Sequence, residues 1–328
     1  MLLTEATDRR VRVASGSPGS RPAVVATAVA TALIVFVLGA LLETWLISLL
    51  QPSEGELTWI SDLFLAGCLG VAIYLWLDLR FTRAALAELE RGKIVLDTQF
   101  AVAAKIQRDL LPATPPPRRG VSWAVRLVQA GRIGGDYYDF IDLDGQSRIA
   151  VVGDIAGKGI PAAMMLVYVR ALFRQAVRET REPAAVIARL SKALYAETRA
   201  EPYLTCIVVR FDEQPRSLTF SVAGHPPALV VGGMHQRLVD GGPPAGLLPD
   251  AEYEQQTVAI APGSRVVVVT DGITERLADF EASVAAIDPR QPASALCESI
   301  FHLSEAPDAS APVDGWDDDR TVLVLAVD

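Results

Sequence analysis

The sequence is poor in the side chains that build zinc centres, disulfide frameworks and nucleic-acid surfaces. Its 328 residues include 3 histidines and 3 cysteines. Cys68 sits in an apolar run and Cys206 and Cys297 stand far apart, which matches neither a disulfide framework nor a zinc site. A reducing compartment is therefore expected for the bulk of the chain. Basic charge is also short: 30 Lys and Arg stand against 39 Asp and Glu, giving a formal charge of -9 and a pI near 5.0. With no basic field for a phosphate backbone, no nucleic acid is expected as a partner, and a protein partner is favoured.

What the chain has in excess is apolar surface. Hydrophobic residues make up 51% and the mean hydropathy is +0.29, above an ordinary soluble protein, and the excess is at the front. Residues 22–42 carry no charge, which is about the 20 residues a helix needs to cross a bilayer. A second apolar run, 60–79, is bounded by Asp62 and Asp78. A cleaved signal peptide fits less well, because the first run exceeds the usual apolar core of such a peptide and a second run follows. Arg9, Arg10, Arg12 and Arg21 precede the first run, Arg80 and Arg83 follow the second, and the connection 51–59 has Glu54 and Glu56 but no Lys or Arg. Positive charge flanking both outer ends predicts a multi-pass protein of the inner membrane with both ends cytoplasmic. Trp45 and Trp59 then fall at the outer interface and Trp76 near the inner one.

The expected organisation is a cytoplasmic basic tail (1–21), a two-helix transmembrane hairpin (22–79), a linker helix (80–111) and one domain (112–328). The linker repeats an apolar position every seven residues through Leu89, Leu96, Ala103 and Leu110. That stripe fits a homodimer formed by helix pairing, or a single amphipathic helix packed on the domain that follows. Lys93 and Gln107 are polar companions and Gly92 weakens the middle. Pro112 and the prolines at 115–117 end the helix.

In the domain, residues 121–130, 137–143, 148–152, 203–211, 217–222, 228–231, 257–260, 265–270 and 321–327 read as strands, and 161–178, 183–198 and 292–303 as helices. Strands outnumber helices and cluster as hairpins. The predicted fold is an α/β (α+β) sandwich of two antiparallel sheets flanked by helices, not a doubly wound parallel sheet. Asp136 follows a Gly134-Gly135 turn, Asp154 and Asp271 follow strands, and Asp318 precedes the last one. In antiparallel sheets one strand's end lies beside its neighbour's start, so these carboxylates can meet at one rim. Clustered carboxylates raise one another's pKa unless a cation compensates. A set of oxygen ligands without Cys or His suits Mg²⁺ or Mn²⁺ better than zinc. Any one such Asp is by itself most often a turn residue.

The motifs around these acids are AKIQRDLLP (104–112), GGDYYDF (134–140), GDIAGKGIPAAMM (153–165), AGHPP (223–227), PPAGLLPD (243–250), TDGITE (270–275) and DDDRTVLVL (317–325). Together they resemble the PPM-type metal-dependent protein serine/threonine phosphatases of the SpoIIE/RsbU-like bacterial branch, over residues 104–328. The resemblance implies two Mn²⁺ or Mg²⁺ ions held by Asp136, Asp154 with the Ile155 carbonyl, Asp271 and Asp318, with Asp319 behind them. It implies hydrolysis of phosphoserine or phosphothreonine by an activated water, with no covalent intermediate. Gly157, Lys158 and Gly159 precede a helix and are candidate phosphate contacts; for Lys158 a solvated loop lysine is the competing reading.

His225, the histidine inside a motif, is a candidate proton donor, though a turn-shaping role fits AGHPP better. The implied substrate is a phosphorylated STAS-domain protein, an anti-sigma-factor antagonist in a partner-switching circuit. Ala156 and Val222 depart from the residues usual at those positions, and the glycine-rich "GE-x-FG" segment expected after Glu275 is replaced by Arg276-Leu277-Ala278-Asp279-Phe280. That departure leaves a second reading open: a catalytically silent membrane-linked module that binds a STAS or kinase partner. A diguanylate cyclase fits poorly, since the later acids would go unexplained.

Overall fold

The computed structural model describes residues 36, 38–42, 45, 58–131, 133–157, 159–199, 201–233, 235–277, 279–305 and 318–328. The predicted basic tail, most of the first apolar run, Lys158 and Asp317 lie outside them. The chain divides into two compact units, Met1–Ile94 and Val95–Asp328.

In the first unit, Phe36, residues 38–42 and Trp45 are helical, and the Phe36 ring lies 5.0 Å from that of Phe64. The second apolar run and the linker, expected as separate helices, form one helix, α1 (Thr58–Leu110). Gly92 costs a helix interior only about 1 kcal/mol, too little to break a helix of that length. Among the described residues one helical stretch, Phe64–Leu110, is long and apolar enough to cross a membrane.

The second unit is a sandwich of two sheets. The strands are β1 (Val121–Val128), β2 (Asp136–Asp142), β3 (Ser147–Ile155), β4 (Leu204–Glu213), β5 (Arg216–Ala223), β6 (Ala228–Val231), β7 (Gln236–Leu238), β8 (Gly241–Gly242), β9 (Gln256–Ala259), β10 (Arg265–Val269) and β11 (Arg320–Val327). The first sheet runs β1-β11-β10-β6-β7; the second runs β2-β3-β4-β5-β8, with β9 also on β5. Pairing is antiparallel except for the short parallel β5–β8 contact, so the second sheet is mixed.

Strand periodicity explains the layers. Ala150 and Val152 of β3, Ile207 and Val209 of β4 and Phe220 of β5 point inward to meet Val266, Val268, Leu323 and Leu325 of the other sheet. Their neighbours Ile149, Val151 and Val208 point outward and are covered by α2 (Ile160–Glu179) and α3 (Pro183–Thr198) through Leu166, Phe173, Ile187 and Leu190. On the other side Val267, Val269, Val322 and Val324 are covered by α6 (Ala293–Leu303), with Phe280 and Val284 of α5 (Phe280–Ala285). Burying a core side chain such as Phe220 stabilises by roughly 2–3 kcal/mol.

In the segment after Glu275, Phe280 is built into the core and the exposed Asp279 caps α5, accepting from the Ala282 amide at 2.9 Å. The seven-residue stripe on α1 is divided: its Ala103 lies on the face that packs, and its Leu89 and Leu96 do not. Leu89 and Leu96 are exposed, whereas Phe100, Ala103, Ala104 and Gln107 turn toward the domain.

Candidate metal centre

The candidate acids meet where the two sheets end side by side. Asp136 opens β2 and is the cross-strand partner of Asp154 in β3. β3 runs on past Val152 to Ile155, so Asp154 lies inside its last turn of pairing, opposite Thr205 of β4. Asp271 starts a one-turn helix, α4 (Asp271–Thr274), directly after β10. Asp318 and Asp319 immediately precede β11.

The two sheets are tied at this point by Asp136. Its Oδ2 accepts from the Thr270 hydroxyl at 2.9 Å and the Thr321 hydroxyl at 2.5 Å, both at strand ends of the opposite sheet. Asp319 holds the loop leading to β2, accepting from the Ala130 amide at 2.9 Å and the Asp136 amide at 3.2 Å. Asp136 and Asp319 are buried, while Asp154, Asp271 and Asp318 are half-buried. A cavity of about 500 Å³ opens above them, lined by Asp154, Ile155, Asp318, Gly157 and Gly159 among others.

Burial, and then repulsion from Asp271, Asp318 and Asp319, pushes the Asp154 carboxyl up to about 7. Asp136 is held well above the usual carboxylate range, first by burial; the Thr321 hydroxyl opposes this, and repulsion from Asp154 and Asp319 adds to it. Among the described residues no three Asp, Glu, His or Cys side chains close into a tight ligand cluster. The acids share one field without touching.

The residues nonetheless fit a divalent cation. The donors are hard oxygens, and the raised pKa values of Asp136 and Asp154 mark a spot where positive charge would let them ionise. The double glycine makes the space. A Cβ on Gly135 would stand 2.5 Å from Asp154 Oδ1 and 2.7 Å from the Ile155 carbonyl oxygen, and one on Gly134 would stand 1.8 Å from Asp319 Oδ2. Neither glycine has positive φ, so they serve close approach more than a left-handed turn.

His225 does not fit proton donation. It is buried, and burial pushes its pKa down to about 3, so it is neutral near pH 7. Its Nδ1 lies 3.4 Å from Thr205 Oγ1, whose hydroxyl reaches the Asp154 carbonyl at 3.5 Å. Gly157 and Gly159 adopt positive φ at the entry to α2, and Lys158 lies outside the described residues.

Several supports escaped the sequence reading. Thr270 and Thr321 stood inside recognised motifs whose acids drew the attention. Asp139 of GGDYYDF is fully buried and paired with Arg174 through two bonds of 2.7 and 2.8 Å, fastening α2 to β2. Gln107, read as a polar flaw in the α1 stripe, is buried for a reason. Its Nε2 donates to the Gly134 carbonyl at 2.7 Å, and its Oε1 accepts from the Gly134 amide at 3.3 Å and from Gln129 at 2.8 Å. Gln107→Ala would strand both backbone groups of Gly134. An unmet buried polar group costs about 1–3 kcal/mol, so chemical denaturation is expected to show a loss of about 2–4 kcal/mol; a change under 0.5 would mean that water replaces the amide.

Two β-sheets packed face to face between helices define the PP2C-like class. The PP2C domain of SiaA from Pseudomonas aeruginosa superposes with a TM-score of 0.61 at 22% identity, covering 72% of this chain and 99% of that domain. RsbX, solved in complex with magnesium, gives a TM-score of 0.50 at 17% identity, over 65% of this chain and 98% of its own. Within that class the chain belongs to the Stage II sporulation protein E (SpoIIE) family, whose sequence model matches residues 144–328. The phosphoserine phosphatase RsbU of Bacillus subtilis (strain 168) is 25% identical over 183 residues, 55% of this chain and 54% of RsbU. The chain thus spans about half the length of that relative.

Proposed function

We propose that the chain is a membrane-anchored phosphoprotein phosphatase that hydrolyses phosphoserine or phosphothreonine using two Mn²⁺ or Mg²⁺ ions. The observation that carries this reading is the convergence of Asp136, Asp154, Asp271 and Asp318 from both sheets on one rim, with Asp154 raised to about 7 by burial and then by its neighbours. Such ions, when bound, neutralise phosphoryl oxygens and acidify a water for in-line attack. Asp154, the Ile155 carbonyl and Asp318 face the cavity and are the ligands nearest the substrate in this reading; Asp271 completes the set from α4. Asp136 serves from beneath, its orientation fixed by Thr270 and Thr321. Asp319 keeps the 130–136 loop against them. Gly157 and Gly159 border the place where the phosphoryl group would sit.

Membership of the SpoIIE family and similarity to RsbU support a phosphorylated STAS-domain protein as the substrate, and magnesium in RsbX supports the metal. The apolar stretch in α1 supports a membrane anchor; we extend it to a two-span hairpin with the catalytic domain cytoplasmic. The exposed Leu89 and Leu96 leave a face on α1 for pairing with a second copy.

The test is phosphate release from a phosphorylated STAS-domain protein by the full chain in detergent with Mn²⁺. Wild type is expected to turn over, and EDTA or Asp271→Asn to reduce the rate at least 100-fold. If wild type and Asp271→Asn are equally inert while the STAS protein still binds, the silent-module reading replaces this one.

A further inference from the structure

One wall of the cavity above the acids comes from outside the sandwich. Phe100 and Asp97, in the last turns of α1, line it together with Ala130 and Ile133 of the loop before β2. Phe100 packs with Ile133, Ala104 and Ala163, and its Cε1 lies 4.0 Å from where a Cβ on Gly159 would stand. The ring therefore bridges the two glycine loops that frame the acids, with part of its surface still open. The polar part of the lining is Asp154, Asp318 and the backbone around Gly157.

The size of the cavity decides what that apolar wall can do. At about 30 Å³ for each water-sized atom, the heavy atoms of a phosphoryl group and the serine oxygen and Cβ occupy roughly 200 Å³. The cavity holds about 500 Å³. The two ions of the phosphatase reading and their waters take part of the rest, and the apolar surface lining the cavity is Phe100 and Ala130, with Ile133 almost wholly buried. An apolar side chain buried there gains hydrophobic free energy, while an acidic one would be desolvated against the Phe100 ring.

We infer that this α1 wall selects the substrate by the residue adjacent to the phosphoserine: an apolar side chain seats on Phe100, and an acidic one is disfavoured there. The inference rests on the phosphatase reading and adds a specificity determinant to it. It also makes α1 part of the substrate site.

The experiment uses the full chain in detergent with Mn²⁺ and phosphoserine peptides that differ only in the flanking residue, Leu, Gly or Asp, beside p-nitrophenyl phosphate as a flank-free substrate. Wild type is expected to favour the Leu peptide over the Gly peptide about tenfold in kcat/KM, and the Gly peptide over the Asp peptide. Phe100→Ala is expected to bring the Leu to Gly ratio within twofold of unity and Phe100→Leu to restore most of it. A wild-type ratio near one, or a Phe100→Ala enzyme that slows on all peptides with its ratio intact, overturns the inference. Failure of the phosphatase reading looks different: no Mn²⁺-dependent hydrolysis of p-nitrophenyl phosphate by wild type at all.

Discussion

Asp154→Asn is expected to lower Mn²⁺-dependent dephosphorylation at least 100-fold and, in EDTA, to make the protein more stable than wild type at pH 8. The two effects have one cause. In the folded protein burial and the charges of Asp271, Asp318 and Asp319 hold the Asp154 carboxyl at about 7, against about 3.9 for an unfolded chain. Between those values the native state keeps a proton that the unfolded state has released. Stability therefore falls as pH rises from about 4 to about 7, and the penalty is complete above 7. About three pH units correspond to ~4 kcal/mol, reduced here to about half by the solvent that reaches this half-buried group. Asparagine keeps the shape and carries no charge, so it removes that slope. Thermal melts in EDTA from pH 5 to 8 should show a falling Tm for wild type and a flatter profile for Asp154→Asn. Mn²⁺ should raise the wild-type Tm more at pH 8 than at pH 5, because the cation takes the place of protons. A wild-type profile in EDTA that rises over this range would mean that the acids do not repel one another as placed.

Much of the sandwich was legible because its strands are two-sided. Runs such as 265–269 and 321–327 are apolar on both faces, one toward the other sheet and one toward a helix, and no alternation is needed to see them. The helix Pro183–Thr198 falls where the sequence puts it, since Pro183 suits a first turn and Val186, Ile187, Leu190 and Leu194 recur at helical spacing. What failed to show had no periodicity to read. β7 and β8 are three and two residues long. The end of β3 was cut short at Val152 because Gly153 and Asp154 are poor strand formers; pairing with Cys206 and Thr205 overrides that preference.

The site divides along the same line. Charged ligand candidates announce themselves in motifs, whereas the groups that aim them do not. Gln107 is separated from Gly134 by 27 residues, and Thr321 from Asp136 by 185, so only the fold brings them together. Two supports are visible in the sequence: Asp319, which holds the loop before β2, and the double glycine, read as a turn, whose value is the room it leaves.

That room makes Gly135→Ala the sharpest small change in the domain. The methyl group would stand 2.5 Å from Asp154 Oδ1 and 2.7 Å from the Ile155 carbonyl oxygen, closer than a carbon and an oxygen can approach. Either the carboxylate and carbonyl move or the β2–β3 pairing opens, and the Ile155 amide bond to the Gly135 carbonyl, 3.2 Å, resists the second route. Displacement falls on two of the proposed ligands at once. Mn²⁺ affinity, read as the metal-induced rise in Tm, is expected to drop at least tenfold, with dephosphorylation lost in parallel. Gly157→Ala is the proper control. It has a positive φ of 114° but nothing within 4 Å of an added Cβ, so its cost is backbone strain without ligand displacement. Gly157→Ala should destabilise the fold by about 1–3 kcal/mol and keep most of the Mn²⁺-induced rise in Tm. Equal metal affinities in the two variants would show that Asp154 and the Ile155 carbonyl do not hold the ion, and that the acids at this rim are clustered for another purpose.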